Sequence, residues 1–389
     1  MRVFEQDIGR DEMERWQLDR LNAQISRAAA NCAFYRPLAG VHLRSLSDLA
    51  GLPFTTAADI IERGEEMVCV PASRVQRIVS LHTSGTSGPW KRLHFTAADL
   101  EQTASFFGVG MGYMCGKGDR VLICMPGVAE DGVGQLLARG LRYLGAEPML
   151  YGPISDYGQA AAMLREFRPH TIVGIPAQIR RLALTAPDAP PVNVLLSADR
   201  VSPVLRAAVE RVWGCAVFEH YGLTESGLGC AVECPSHDGL HIRHDALYLE
   251  IIDPESGAPL RAGEWGEIVL STLDRQAMPL LRYRTGDRGR LLDHVCSCGC
   301  RLPRLDTVTG RFSELTRAYS IYQLDDLLLR EDAVLDYSAS LSDGILRLEV
   351  AGDAELARRL TAEMWPELQV TAVPGTGFST RGTRKRIVL

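Results

Sequence analysis

RVLICMP (Arg120–Pro126), GQLLARGLRYLG (Gly134–Gly145), EPMLYG (Glu147–Gly152), YGQAAAMLREF (Tyr157–Phe167), HTIVGIP (His170–Pro176), QIRRLAL (Gln178–Leu184) and VNVLLSA (Val192–Ala198) follow one another through the middle of the chain. Short apolar runs alternate with segments whose apolar side chains recur at helical spacing. That alternation predicts successive βαβ units and a mostly parallel sheet. In such folds the ligand site lies beyond the carboxyl ends of the strands, where RVLICMP, HTIVGIP and VNVLLSA run into Gly, Pro and polar residues.

Outward from this core the pattern changes twice. Upstream, Met13, Trp16, Leu18, Leu21 and Ile25 lie near helical spacing among charges, which predicts an amphipathic helix from Glu12 to about Arg27. Downstream of Asp245, LYLEIID, the turn PESG, WGEIVLSTL and DRGRLL predict hairpins and a small β unit. Beyond Gly310 the order is helix QLDDLLLR, strand AVLDYSAS, strand ILRLEV, helix AELARRLTAEMW and strand LQVTAV, a small α+β unit. The chain has 389 residues, long for one core, so the expected organisation is a large domain over 1–311 and a small one over 312–389.

Composition narrows the function. Apolar residues make up 46% and charged residues 23%, and no apolar run reaches the length of a membrane span. The first residues, MRVFEQDIGRDEMERW, lack an apolar stretch followed by a small-residue cleavage site, so a cytoplasmic protein is expected. A net charge of −6 with scattered basic pairs such as Arg180–Arg181 argues against nucleic acid as a partner, and any anionic ligand must be held locally. Ten cysteines in a chain of this size do not form a disulfide scaffold, and Cys296, Cys298 and Cys300 fall within five residues, as in a metal site.

SLHTSGTSGPWKRLHFT (Ser80–Thr96) carries the compact run TSGTSG just before a lysine. Glycines there let backbone amides approach a polyphosphate, hydroxyls add donors, and Lys91 offsets charge. The spacing is not that of a Walker loop, because Pro89 and Trp90 separate Gly88 from Lys91.

SGTSGPWK (Ser84–Lys91), EHYGLTE (Glu219–Glu225), YRTGD (Tyr283–Asp287) and Gly310–Arg311 occur in the order and approximate spacing of the adenylate-forming, AMP-binding superfamily. Within it the chain most resembles the phenylacetate-CoA ligase group, through LDRLNAQISRAAANCAFYRPL (Leu18–Leu38), LSDLAGLPFTTAADI (Leu46–Ile60), YGLTESGLGCAVECPSHDGLHI (Tyr221–Ile242) and MPLLRYRTGD (Met278–Asp287). The resemblance implies an α/β fold: a large adenylate-forming N-terminal domain of mostly parallel sheets with helices plus a small β subdomain, and a small, mobile α+β C-terminal domain. It implies an ATP-dependent ligase that converts a small carboxylic acid to an acyl-AMP and passes the acyl group to coenzyme A. A carrier-protein acceptor, AMP transfer to a hydroxyl as in coenzyme F390 synthetases, a nucleotide-binding protein without turnover, and a homodimeric assembly stay open.

By the same resemblance, Ser84, Gly85, Thr86, Ser87, Gly88 and Lys91 cradle the β- and γ-phosphates. Tyr221 stacks on or edges the adenine, Gly222 beside it belongs to the nucleotide site, Thr224 bonds the α-phosphate, and Glu225 holds Mg²⁺ as a hard oxygen ligand. Asp287 receives the ribose hydroxyls, although Gly286–Asp287 alone would be ordinary turn chemistry. Arg311 reaches ribose or phosphate, and Ala198 and Asp199 of SADR lie beside the adenine. Cys234, His241, Cys296 and Cys298 are implied as a structural zinc site, their soft donors suiting a tetrahedral ion, with Cys300, His237, His244 and His294 as alternatives.

The chain departs from the family near its C-terminus. RGTRKRIVL puts Thr383 where the superfamily carries a catalytic lysine, and Lys385 stands two residues further on, on the same face of a strand. Ser313 and Glu314 replace the usual acidic hinge pair, RAYSIYQ (Arg317–Gln323) replaces a Gly-Val-Asn loop, and GVAEDGVG (Gly127–Gly134) brings Glu130 and Asp131 to an acyl-pocket stretch that is apolar in aromatic-acid ligases.

Overall fold

The computed structural model describes residues 9–82, 90–127 and 130–375. They form two compact units, one from the described residues of 9–113 with 220–308, and one from those of 114–219 with 309–375.

The second unit contains the βαβ segment. Its parallel strands lie in the order Glu147–Leu150, Arg120–Cys124, Thr171–Gly174, Asn193–Leu196 and the start of Ala216–Tyr221. The helices Val133–Tyr143, Tyr157–Phe167, Pro176–Thr185 and Pro203–Trp213 connect them. Leu122, Ile172, Val194, Leu196 and Val217 of the strands pack with Ile179, Leu182 and Val209 of the helices, which is why the strands read as continuous apolar runs. Helix starts follow the local chemistry: Asp156 and Ser202 accept from Gln159 N and Leu205 N, and Pro176 and Pro203 stand at the first helical positions.

The same unit holds the α+β segment. Helix Ile321–Leu328 is followed by the antiparallel pair Val334–Ser342 and Ile345–Gly352, then helix Ala354–Met364, then strand Gln369–Pro374 parallel to Ile345–Gly352. The hairpin turns at Asp343–Gly344, both with positive φ (50° and 72°), as a two-residue turn between twisted strands requires. Leu205 joins its core of Ile321, Leu324, Leu328, Tyr337 and Leu348. Three arginines reinforce that seam. Fully buried Arg180 donates to the carbonyls of Glu331, Val334 and Leu335, while Arg200 pairs with Asp326 and Arg211 with Asp332.

In the first unit, helix Arg10–Asn31 buries Leu21, Ile25 and Ala28 against Leu273 and Leu281, extending the expected helix at both ends. The hairpin Arg77–His82 with Trp90–Phe95 carries Lys91. Helix Ala97–Met111 starts in a reciprocal box between Thr96 and Asp99. Strands Leu247–Ile252, Gly266–Thr272 and Tyr283–Gly289 pair antiparallel. Ala231–Glu233 pairs with Leu240–Ile242, which pairs with Arg304–Leu305, and that with Leu291–Leu292. The YRTGD motif is therefore strand throughout, and its Gly-Asp is not a turn. Cys32 and Cys69 lie side by side, their Cα atoms 5.0 Å apart, within the span a disulfide bridges. Among the described residues no helix is long and apolar enough to cross a membrane.

Candidate active site and metal centre

Strand Tyr283–Gly289 alternates in burial, with Tyr283, Thr285 and Asp287 on its buried face. The two outer members of that face reach two residues of the YGLTE segment. Tyr283 Oη donates to Glu225 Oε1 at 2.7 Å, and Tyr221 Oη donates to Asp287 Oδ2 at 2.8 Å. Burial, with the Asp287 charge beside it, raises the Tyr221 phenol well above its ordinary value, so it stays a donor. The strand is held firmly at this point. Arg282 clasps Glu250 through two bonds and donates to the carbonyls of Ala50 and Leu52, and Arg284 pairs with Glu267.

YGLTE itself is shaped by close approach. A Cβ on Gly222 would lie 2.6 Å from the Leu228 carbonyl oxygen and 2.7 Å from the His220 ring, so only glycine fits. Thr224–Ser226 then forms one 3₁₀ turn, closed by Gly227 at φ 80°. The turn buries Glu225, which Lys91 meets from the hairpin, 134 residues away in sequence, as an ion pair on Oε1. Among the described residues both bonds of this carboxylate fall on Oε1, and Oε2 has no protein partner.

The first unit thus brings together Lys91, Tyr221, Gly222, Thr224, Glu225 and Asp287. Ala198, Asp199 and Arg311 belong to the second unit. There Ala198 takes φ 69°, Asp199 Oδ1 caps the Arg200 amide at 2.7 Å, and the Arg311 amide donates to Tyr322 Oη at 3.2 Å. A Cβ on Gly310 would lie 2.3 Å from the Tyr322 ring, which explains the glycine before Arg311. Ser84, Gly85, Thr86, Ser87, Gly88, Thr383 and Lys385 lie outside the described residues. Tyr283 is absent from the sequence-derived set. Period two along YRTGD, which places it on the face of Asp287, was the available signal.

The second constellation is Cys234, His241, Cys296 and Cys298, whose donor atoms all lie within 4.8 Å of one another. Cys234 follows one strand, His241 sits in its partner, and the two other cysteines occupy a turn closed by Cys296 N to Cys300 O (3.0 Å) and Gly299 N to Cys296 O (2.8 Å). The Cys234–Cys296 sulfurs are 3.8 Å apart and Cys298 Sγ lies 3.5 Å from His241 Nε2. Tetrahedral Zn–S and Zn–N bonds of about 2.3 and 2.0 Å give edges of about 3.8 and 3.5 Å, so the residues fit the ion. The alternatives point elsewhere. His237 pairs with Glu233, His294 with Asp238, His244 Nε2 with the Pro303 carbonyl, and Cys300 is buried beside the group rather than in it.

Residues 14–274 match the model of the AMP-binding enzyme family. The phenylacetate-coenzyme A ligase of Escherichia coli (strain K12) is 31% identical over 326 residues, covering 78% of this chain and 72% of that protein. That of Aromatoleum evansii is 29% identical over 379 residues, covering 90% and 84%. Among solved structures, 2-hydroxyisobutyryl-CoA ligase in the postadenylation state with 2-HIB-AMP superposes with a TM-score of 0.82 at 20% identity, over 98% of this chain and 90% of that one. This last likeness establishes a shared fold.

Proposed function

The chain belongs to the AMP-binding enzyme family, and from that premise we propose that it is an ATP-dependent, AMP-forming ligase joining a small carboxylic acid to coenzyme A. The observation that carries the reading is the joining of three distant motifs at one carboxylate and one strand: Lys91 and Tyr283 on Glu225, and Tyr221 on Asp287.

In the first half-reaction the substrate carboxylate oxygen attacks the α-phosphorus of ATP and pyrophosphate leaves. In the second the thiol attacks the acyl carbon and AMP leaves. Positioning and charge neutralisation are the protein's main tasks in both. Lys91, with Ser84, Gly85, Thr86, Ser87 and Gly88, neutralises and holds the β- and γ-phosphates. Thr224 donates to the α-phosphate, Tyr221 and Gly222 border the adenine with Ala198 and Asp199, and Asp287 accepts from the ribose hydroxyls, with Arg311 at ribose or phosphate. Glu225 offers Oε2, a hard donor suited to Mg²⁺, which when bound supplies charge neutralisation on the phosphates. Lys385 serves as the adenylation cation in place of Thr383, from a mobile C-terminal domain beginning at 312.

The four-residue cysteine–histidine set holds a structural zinc that ties the turn bearing Cys296 and Cys298 to the strand pair after YGLTE. With all four donors from protein, it has no catalytic position. The protein acts in the cytoplasm, where thiols and coenzyme A coexist.

The test is exchange of radiolabelled pyrophosphate into ATP with a panel of carboxylic acids led by phenylacetate, followed by thioester detection with coenzyme A. Exchange with one acid and a coenzyme A-dependent thioester are expected. Exchange without thioester would move the acceptor to a carrier protein or hydroxyl, and no exchange with any acid would remove the ligase reading. Lys385→Ala should slow adenylation more than thioester formation from supplied acyl-AMP.

A further inference from the structure

The two bonds on Glu225 differ in kind. Lys91 is a flexible cation that, on the reading above, must also serve phosphate, so its hold on the carboxylate is shared. Tyr283 is not free to turn away. Its backbone pairs with Leu270 in the sheet and bridges Thr55, whose amide donates to the Arg282 carbonyl (3.1 Å) and whose carbonyl accepts from the Arg284 amide (2.9 Å). The arginines on either side are locked by Glu250 and Glu267. The residue is 3% exposed, and Oη ends 2.7 Å from Oε1.

We infer that Tyr283 is a positioning residue: its hydroxyl retains Oε1 of Glu225 when Lys91 turns to phosphate, and so keeps Oε2 as the oxygen offered to the divalent cation. The inference rests on the reading of Glu225 as the cation ligand. A hydrogen bond from a fixed neutral donor to a carboxylate holds orientation without cancelling the charge the cation needs. A lysine alone would hold the carboxylate only while the phosphate site was empty.

The test uses the full-length protein and Mn²⁺ as the probe, with ATP present and carboxylic acid absent, bound manganese being read by electron paramagnetic resonance. Tyr283→Phe, Glu225→Gln and the double variant are compared with the parent, and melting temperatures verify folding. Tyr283→Phe is expected to weaken manganese binding about three- to tenfold, and to add nothing in the Glu225→Gln background. Replacement of Tyr283 by 3-fluorotyrosine, which keeps the donor, is expected to restore parent binding. Parent-like binding in Tyr283→Phe, or an equal loss with and without Glu225, overturns the inference. Unchanged binding in Glu225→Gln removes the cation reading of Glu225, and the inference with it, which is a distinguishable result.

Discussion

Tyr221 Oη donates to Asp287 Oδ2 across 66 residues of sequence, so the two motifs form one hydrogen-bonded surface. On the function proposed above, Asp287 is the acceptor for the ribose hydroxyls, oriented by that bond. Asp287→Asn keeps the size and one acceptor but loses the charge. An increase of about tenfold in the KM for ATP is expected, about 1.4 kcal/mol, with little change in melting temperature. Pyrophosphate exchange at varied ATP measures it, and an unchanged KM would detach Asp287 from the nucleotide.

Glu225→Gln should abolish magnesium-dependent pyrophosphate exchange, by about 100-fold or more, in a folded protein. Tyr283 can still donate to the amide oxygen, so packing around the turn survives. Exchange at the parent rate would show that the carboxylate charge is not used.

Protein purified without chelator should contain about one zinc per chain, and chelation should lower the melting temperature, because metal binding to four folded-state donors is folding energy. Cys298→Ser should reduce zinc content while Cys300→Ser should not. Elemental analysis without zinc, with melting unaffected by chelator, would dismiss the site.

Burial lowers the pKa of His244 to about 4, and its two nitrogens are set for the neutral ring, with Nε2 donating to the Pro303 carbonyl and Nδ1 facing the Gln17 amide nitrogen. An unfolded histidine protonates near pH 6.5. Between about pH 6.5 and 4 the unfolded chain therefore binds the extra proton and the folded chain does not, so this contribution is full above pH 6.5 and is lost as pH falls toward 4. It amounts to about 3 kcal/mol. Urea midpoints at pH 7.5 and 5.5 should separate, and His244→Gln should narrow the gap; an unaltered gap would assign the pH dependence to other groups.

Arg180→Met should cost about 2–4 kcal/mol by removing the donors to the Glu331, Val334 and Leu335 carbonyls. Limited proteolysis should then cut the segment after Leu328 faster than in the parent. Equal rates would show that the apolar contacts of Leu205 and Ile321 suffice.

The strands from Arg120 to Leu196 and the alternation in the α+β segment were legible in the sequence, because both-face burial and amphipathic faces impose local periods. The motifs carrying Lys91, Tyr221, Glu225 and Asp287 could be picked out as short words, and the structure brings these four side chains into hydrogen-bonded pairs. Cys234, His241, Cys296 and Cys298 were readable as a set, but the other thiols and imidazoles of the same two segments offered competitors of equal chemistry, and only the pairing of Ala231–Glu233 with Leu240–Ile242 and the turn at Cys296–Cys300 selected four. Tyr283 was hidden in its own motif. Its role depends on where a buried carboxylate 58 residues upstream lies, and no local period encodes a distance between two segments. Local periodicity, set by backbone geometry and burial, thus determined element type and the motifs themselves. Which oxygen of Glu225 is held, which histidine stays with a backbone carbonyl, and which arginine is buried at Leu335 were decided only when the tertiary structure brought distant side chains within hydrogen-bond reach.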